Sequence, residues 1–237
     1  MQVSRKVLLV VGAATALAAC GTAMDRERQV TAPAAVVTDD GTLSRGHEAP
    51  SAVIDRRDPD TVYLADVEMF TGDCRFYVSR DAGRTWTERE APRLEPYTDC
   101  GLGPASPKNV RTELIQGPDG TLYYAFHAHD PKAGGARSVL LGRTTDGGAT
   151  WRTTAIHAAP RARGPENVEV NFLTHVAIDP DDPQRQYAMW RRSYPTPEDG
   201  QPRPTRAWMA VSDDGGDTFG DAFLALERDI GFDGPRP

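Results

Sequence analysis

Residues 144–151 read Thr144-Thr145-Asp146-Gly147-Gly148-Ala149-Thr150-Trp151. The same octapeptide stands at 79–86 as Ser79-Arg80-Asp81-Ala82-Gly83-Arg84-Thr85-Trp86 and at 212–219 as Ser212-Asp213-Asp214-Gly215-Gly216-Asp217-Thr218-Phe219. Each copy places a hydroxyl, then Asp, Gly, Thr and a large aromatic at fixed offsets. The pattern predicts a tight hairpin, because an Asp side chain bonds the backbone two residues on and Gly takes positive φ without a Cβ clash. The hydroxyl closes the turn from its other side. The aromatic starts the return strand and wedges its ring against a core. The three Asp residues are 65 and 68 residues apart, which leaves room for one four-stranded unit per repeat.

The flanking sequence supplies those strands. The first unit reads as 50–55, 61–66, 75–79 and 86–89, the second as 112–116, 122–126, 138–143 and 151–154, and the third as 174–178, 186–190, 207–211 and from 219 onward. A second repeat fixes the register: Ile54-Asp55, Ile115-Gln116 and Ile178-Asp179 each precede a polar turn and a strand bearing Tyr63, Tyr123 or Tyr187. Short β-rich runs between Gly, Pro and Asp turns, with no long helical period, give an all-β protein. The Pro-rich segments 92–107, 158–166 and 194–205 read as loops.

The octapeptide resembles the Asp box, or bacterial neuraminidase repeat, of sialidases and related β-propellers, in which it joins the third and fourth strands of a blade. The residues carrying the resemblance are Ser79, Asp81, Gly83 and Trp86; Thr144, Asp146, Gly148 and Trp151; and Ser212, Asp214, Gly216 and Phe219. It implies a sialidase-type β-propeller of about three four-stranded blades, at about 46–91, 108–157 and 170–227. Three blades do not close a propeller, for which four to eight are usual, so the expectation is an incomplete one.

The 237 residues are 39% hydrophobic and 26% charged, ordinary values for a globular protein. The formal charge of -7 argues against nucleic acid as a partner. Arg5 and Lys6 precede an apolar run over 7–19, too short to span a bilayer but suited to a secretory leader. The run ends in Leu17-Ala18-Ala19-Cys20-Gly21, which resembles a bacterial lipobox. That resemblance implies a signal peptide over 1–19, lipidation of Cys20 and a membrane anchor facing outside the cytoplasm. Residues 20–45 then read as anchor and flexible tether, and 46–237 as the blades. In an oxidising compartment Cys74 and Cys100 can pair, or remain two free thiols. No Cys/His spacing suggests zinc, and no cofactor is expected.

In a propeller the first strand of each blade lines the central channel, so candidate ligand groups are those at its start. Glu48, Arg111 and Glu113 are the candidates for acid, base or anion-holding work, and His47, Asn109, Asn171 and His175 for ligand contact. The sialidase resemblance implies three arginines gripping a carboxylate, a Tyr nucleophile with Glu, and an Asp acid/base. Glu48 stands where the first arginine is expected, and the later groups fall in blades beyond these three. Three weaker groupings are Asp66 with Glu68, His127 with His129 as a metal pair, and the calcium-like Asp213, Asp214 and Asp217. In each, solvated polar residues or turn caps are the competing reading. Two function classes remain: a cell-surface glycan-processing enzyme of sialidase type, and a non-catalytic propeller that binds glycan or protein.

Overall fold

The computed structural model describes residues 47–68, 72–97, 100, 112–129, 134, 136–164, 167–194 and 205–226. Arg111, Asn109 and everything assigned to 1–46, Cys20 included, lie outside them, and nothing is stated of the side chains of His47 and Glu48. Among the described residues twelve strands form three antiparallel sheets. The first contains β1 (His47–Ile54), β2 (Val62–Glu68), β3 (Cys74–Ser79) and β4 (Thr87–Arg89). The second contains β5 (Glu113–Gln116), β6 (Leu122–His129), β7 (Arg137–Thr144) and β8 (Arg152–His157). The third contains β9 (Val170–Ile178), β10 (Gln186–Ser193), β11 (Arg206–Ser212) and β12 (Phe223–Leu226). Within each sheet neighbours in sequence are neighbours in space, so each repeat is one blade.

Several strands extend further than their composition suggests, mostly at the end away from the octapeptides. β1 begins at His47, where its backbone pairs with Glu68, and β9 begins at Val170, paired with Ser193. Bulges between Glu48 and Ser51 and between Met189 and Arg191 absorb an extra residue, which hides the alternation on which a sequence reading depends.

Each sheet has a leading face, toward the preceding sheet, and a trailing face, toward the next. Tyr63, Ala65, Val67, Phe76 and Val78 on the first trailing face pack with Leu114, Leu122, Tyr124, Phe126 and Leu140 of the second sheet. Tyr123, Ala125, Val139 and Leu141 on the second trailing face pack with Val176, Ala188, Trp190 and Ala210 of the third. These two interfaces are the core.

The octapeptides form one turn three times, and the Asp reaches further along the chain than the two residues expected. Thr144 donates its hydroxyl to Asp146 Oδ1 at 2.7 Å, which also accepts from the amides of Ala149 and Thr150 at 2.9 Å, three and four residues on. Thr150 closes the ring through its hydroxyl to Asp146 Oδ2 at 2.7 Å, and Gly148 N donates back to Thr144 Oγ1 at 3.0 Å. The Asp81 and Asp214 turns repeat this arrangement. Two consecutive residues take positive φ, Gly147 at 68° and Gly148 at 83°, and at the first position Ala82 manages 57°.

The aromatics differ in their partners. Trp151 sits edge-on to Phe76 of the preceding sheet with centroids 5.1 Å apart, and its indole donates to Glu90 O at 2.8 Å. Phe219 packs against the second interface. Trp86 has no preceding sheet among the described residues, and its indole donates to its own Gly83 O at 3.1 Å. The wedge thus needs a blade behind it.

Candidate functional site

The register divides the fold into two ends. The octapeptides join third to fourth strands at one end; the first strands begin, and the second strands finish, at the other. Of the candidate ligand residues, the register sets His47, Glu48 and Asn171 at the latter end and Glu113 and His175 midway along their blades, paired with Ala125 and Met189, while Asn109 and Arg111 lie outside the described residues.

The first strands lie side by side, and one repeated bond ties them. Leu114 N donates to Ser51 Oγ at 3.0 Å, and Val176 N donates to Glu113 Oε2 at 2.6 Å. By their pairing, Ser51 with Ala65 and Glu113 with Ala125, the two side chains occupy equivalent positions in successive blades. His175, paired with Met189, is the third member of the set. Its Nδ1 lies 3.3 Å from Glu113 Oε1, and its side chain is 47% exposed. Two residues proposed separately are therefore brought together, but half of the Glu113 carboxylate serves the backbone of the next strand. The carboxylate beside Nδ1 favours the tautomer that leaves Nε2 an acceptor.

Asn171 corrects an expectation. It is 0% exposed, because β9 runs on past it and leaves no open loop in which it could meet a ligand. Its amide nitrogen donates to Arg137 O of the second sheet and to Glu169 Oε1 at 2.9 Å. Glu169 Oε1 also meets His157 Nε2 at 2.6 Å and Arg192 Nε at 3.1 Å, and Arg137 N donates to Glu169 O at 2.9 Å. Burial pushes the Glu169 carboxyl up, but hydrogen bonds from His157 and Asn171 and the Arg192 charge outweigh it, so the net shift is downward. Arg192 lies over the Trp208 ring at 3.9 Å, and His157 stacks on Trp190 at 5.5 Å. The group clasps the second blade to the third at the strand ends away from the octapeptides. Its members come from five strands and from the segment before β9, and they share no local motif, so nothing in the sequence signals it.

The weaker groupings resolve into structural tasks. His127 is fully buried with Nε2 2.7 Å from Thr174 Oγ1, and burial lowers its pKa to about 3. It thus faces the third blade as a neutral ring, with no group of three metal-ligating side chains around it among the described residues. Asp66 and Glu68 are buried too, so the exposed alternation expected there does not occur. Asp214 belongs to its turn, bonded by Ser212 and Thr218, while Asp217 pairs with Arg143 and with Arg152 at 3.3 Å and Asp213 pairs with Arg185 at 3.7 Å. Cys74 and Cys100 form a disulfide with Cα atoms 5.2 Å apart, and Cys100 N donates to Gly72 O at 2.8 Å. A cavity of about 90 Å³ lies beside it, lined in part by Leu94, Tyr97 and Phe126. A larger one of about 420 Å³, lined in part by Tyr123, Arg143, Trp151 and Gln184, opens at the octapeptide end, away from Glu113 and His175. Among the described residues no helix is long and apolar enough to cross a membrane.

No protein-family model matches the chain, and no curated protein does. Solved structures do. A protein of unknown function from Dyadobacter fermentans superposes with a TM-score of 0.54 at 18% identity, over 76% of this chain and 50% of its own. The GH93 α-L-arabinofuranosidase of Fusarium graminearum, in complex with arabinobiose, gives 0.53 at 10% identity over 84% and 52%. The Penicillium chrysogenum α-L-arabinanase, also complexed with arabinobiose, gives 0.54 at 14% over 77% and 50%. The present chain spans about half the length of each. At these identities the likeness is one of fold: three blades of a β-propeller of the kind found in glycoside hydrolases.

Proposed function

We propose that these blades belong to an exported, glycan-processing propeller that meets its ligand along its first strands. The Glu113 and His175 pair carries the reading, since it sets a carboxylate and a half-exposed imidazole across adjacent first strands. The leader and Cys20 support export and anchoring of the chain. The octapeptides support an Asp-box propeller of the sialidase type. The ligand of that type is less well supported, because Glu48 replaces the expected arginine and two of the similar structures hold arabinobiose. A neutral glycan fits this chain better than a sialoside.

One observation favours a non-catalytic, glycan-binding propeller as the second reading. Glycosidases generally use two carboxyl groups flanking the bond they cleave, and the Glu113 carboxylate is partly engaged by Val176 N.

The test is a glycan array, with turnover of a fluorogenic sialoside and of an arabino-oligosaccharide, on the full chain and two variants. Glu113→Gln keeps an acceptor for Val176 N while removing the charge; His175→Ala removes the imidazole. Glycan binding lost in both variants supports the site, and hydrolysis lost with it supports the enzyme. Binding that survives both, or no glycan bound and none cleaved, overturns the proposal.

A further inference from the structure

The two blade junctions are built alike. Phe76 and Leu141 hold equivalent positions on the first and second trailing faces, and each presses on the glycine corner of the next octapeptide. A Cβ on Gly148 would come within 2.2 Å of Phe76 Cε1, and one on Gly216 within 3.0 Å of Leu141 Cδ2. Tyr63 stands over Gly147 in the same way, its hydroxyl 3.2 Å from where a Cβ would lie. Socket and corner are therefore matched parts, used twice.

A third socket and a third corner exist, both unfilled among the described residues. Pairing places Met209 where Phe76 and Leu141 stand, Tyr187 where Tyr63 and Tyr123 stand, and His175 where Ser51 and Glu113 stand. Met209 and Tyr187 are half-buried, where Phe76 and Tyr63 are buried. The spare corner is Ala82 and Gly83, where a Cβ on Gly83 would meet only its own Trp86, at 3.6 Å. Exposed apolar groups follow the same division. Met189, Phe223 and Leu226, exposed by 37%, 48% and 53%, lie on the third trailing face; Ile54, exposed by 60%, lies on the first leading face. Ile178, the equivalent of Ile54, packs across the second junction.

We propose that a second copy of this chain fills both vacancies. The third blade of each copy receives the first blade of the other, His175 reaching the first strand of its partner as Glu113 reaches Val176. Two identical junctions then close a two-fold ring of six blades.

The experiment is sedimentation velocity on the full chain in mild detergent, with Met209→Glu on the socket side and Ile54→Glu on the corner side. Wild type is expected at twice the 25.8 kDa chain mass. Each variant alone breaks both junctions, and its dimer dissociation constant should rise by about two orders of magnitude or more. Mixing the two variants leaves one intact junction, so dimer should reappear in the mixture. Circular dichroism matching wild type confirms that the variants fold. A monomeric wild type overturns the proposal. So does an Ile54→Glu chain that dimerises alone, which would mean third blades packing face to face, or a mixture that stays monomeric.

Discussion

The packing of Phe76 on Gly148 sets the cost of adding a single methyl group. In Gly148→Ala the new Cβ would stand 2.2 Å from Phe76 Cε1 and 3.0 Å from Cδ1 and Cζ, at a φ of +83°. The ring cannot swing clear, because Phe76 is fully buried with Trp151 edge-on at 5.1 Å and Tyr63 stacked at 6.1 Å. A left-handed Ala costs about 1 to 2 kcal/mol and overpacking about 1 to 3, so the loss should be about 2 to 5 kcal/mol. Urea titration should read this as a midpoint lowered by about 1 to 2 M, for a slope typical of small proteins. Phe76→Leu trims the obstructing ring edge, so in the Gly148→Ala background it should recover more than about 1 kcal/mol relative to additivity. A Gly148→Ala midpoint equal to wild type, or strictly additive effects, would refute the junction as the source of the cost.

Other outcomes follow from groups described above. Hydrogen bonds from Thr85 and Thr218 hold the Asp81 and Asp214 carboxyls down to about 2, against an ordinary 3.8. Their contribution should be complete above pH 3.8 and lost as pH falls toward 2; thermal melts of Asp81→Ala and Asp214→Ala should show a lower midpoint at neutral pH and a weaker acid dependence. His127 acts over a different window: the unfolded ring takes a proton near 6.5 and the folded one only near 3, so stability should fall as pH drops from 6.5 toward 3. His127→Gln should flatten that part of the melting curve, and an unchanged slope would show that the ring titrates freely. Trp151→Ala removes a ring shared by two blades and should cost about 3 kcal/mol in denaturant titration. Trp86→Ala should change the unfolding free energy of dilute protein by less than about 1 kcal/mol, since its wedge has no blade behind it.

The turns were legible in the sequence because every bond in them closes within a few residues, so Thr144, Asp146 and Thr150 announce one another. The blade register was legible for a related reason: Tyr63, Tyr123 and Tyr187 recur at one position because each trailing face offers the same seat. What stayed hidden is contact between strands distant in sequence. Glu169, His157, Arg192 and Asn171 meet only when two sheets stack, and as isolated letters they read as surface polar residues. His127 was misread for the same reason, its alternation with His129 giving no sign that Thr174 covers one ring and not the other. Glu113 was singled out for its chemistry, whereas the structure also gives it a task shared with Ser51, and a Ser-to-Glu change between repeats conceals that equivalence.

The separation of the two ends bears on how such a protein changes over time. At one end each octapeptide hairpin has one length, because an added residue would take the Asp out of reach of the amides three and four places on. At the other end the connections between second and third strands run from Glu68 to Cys74, from His129 to Arg137 and from Ser193 to Arg206, longer in each successive blade. Insertions there leave every octapeptide bond in place. The octapeptides thus form a line of fixed length and the other end a margin on which new recognition can be written, and a library of binding variants is best confined to those three connections.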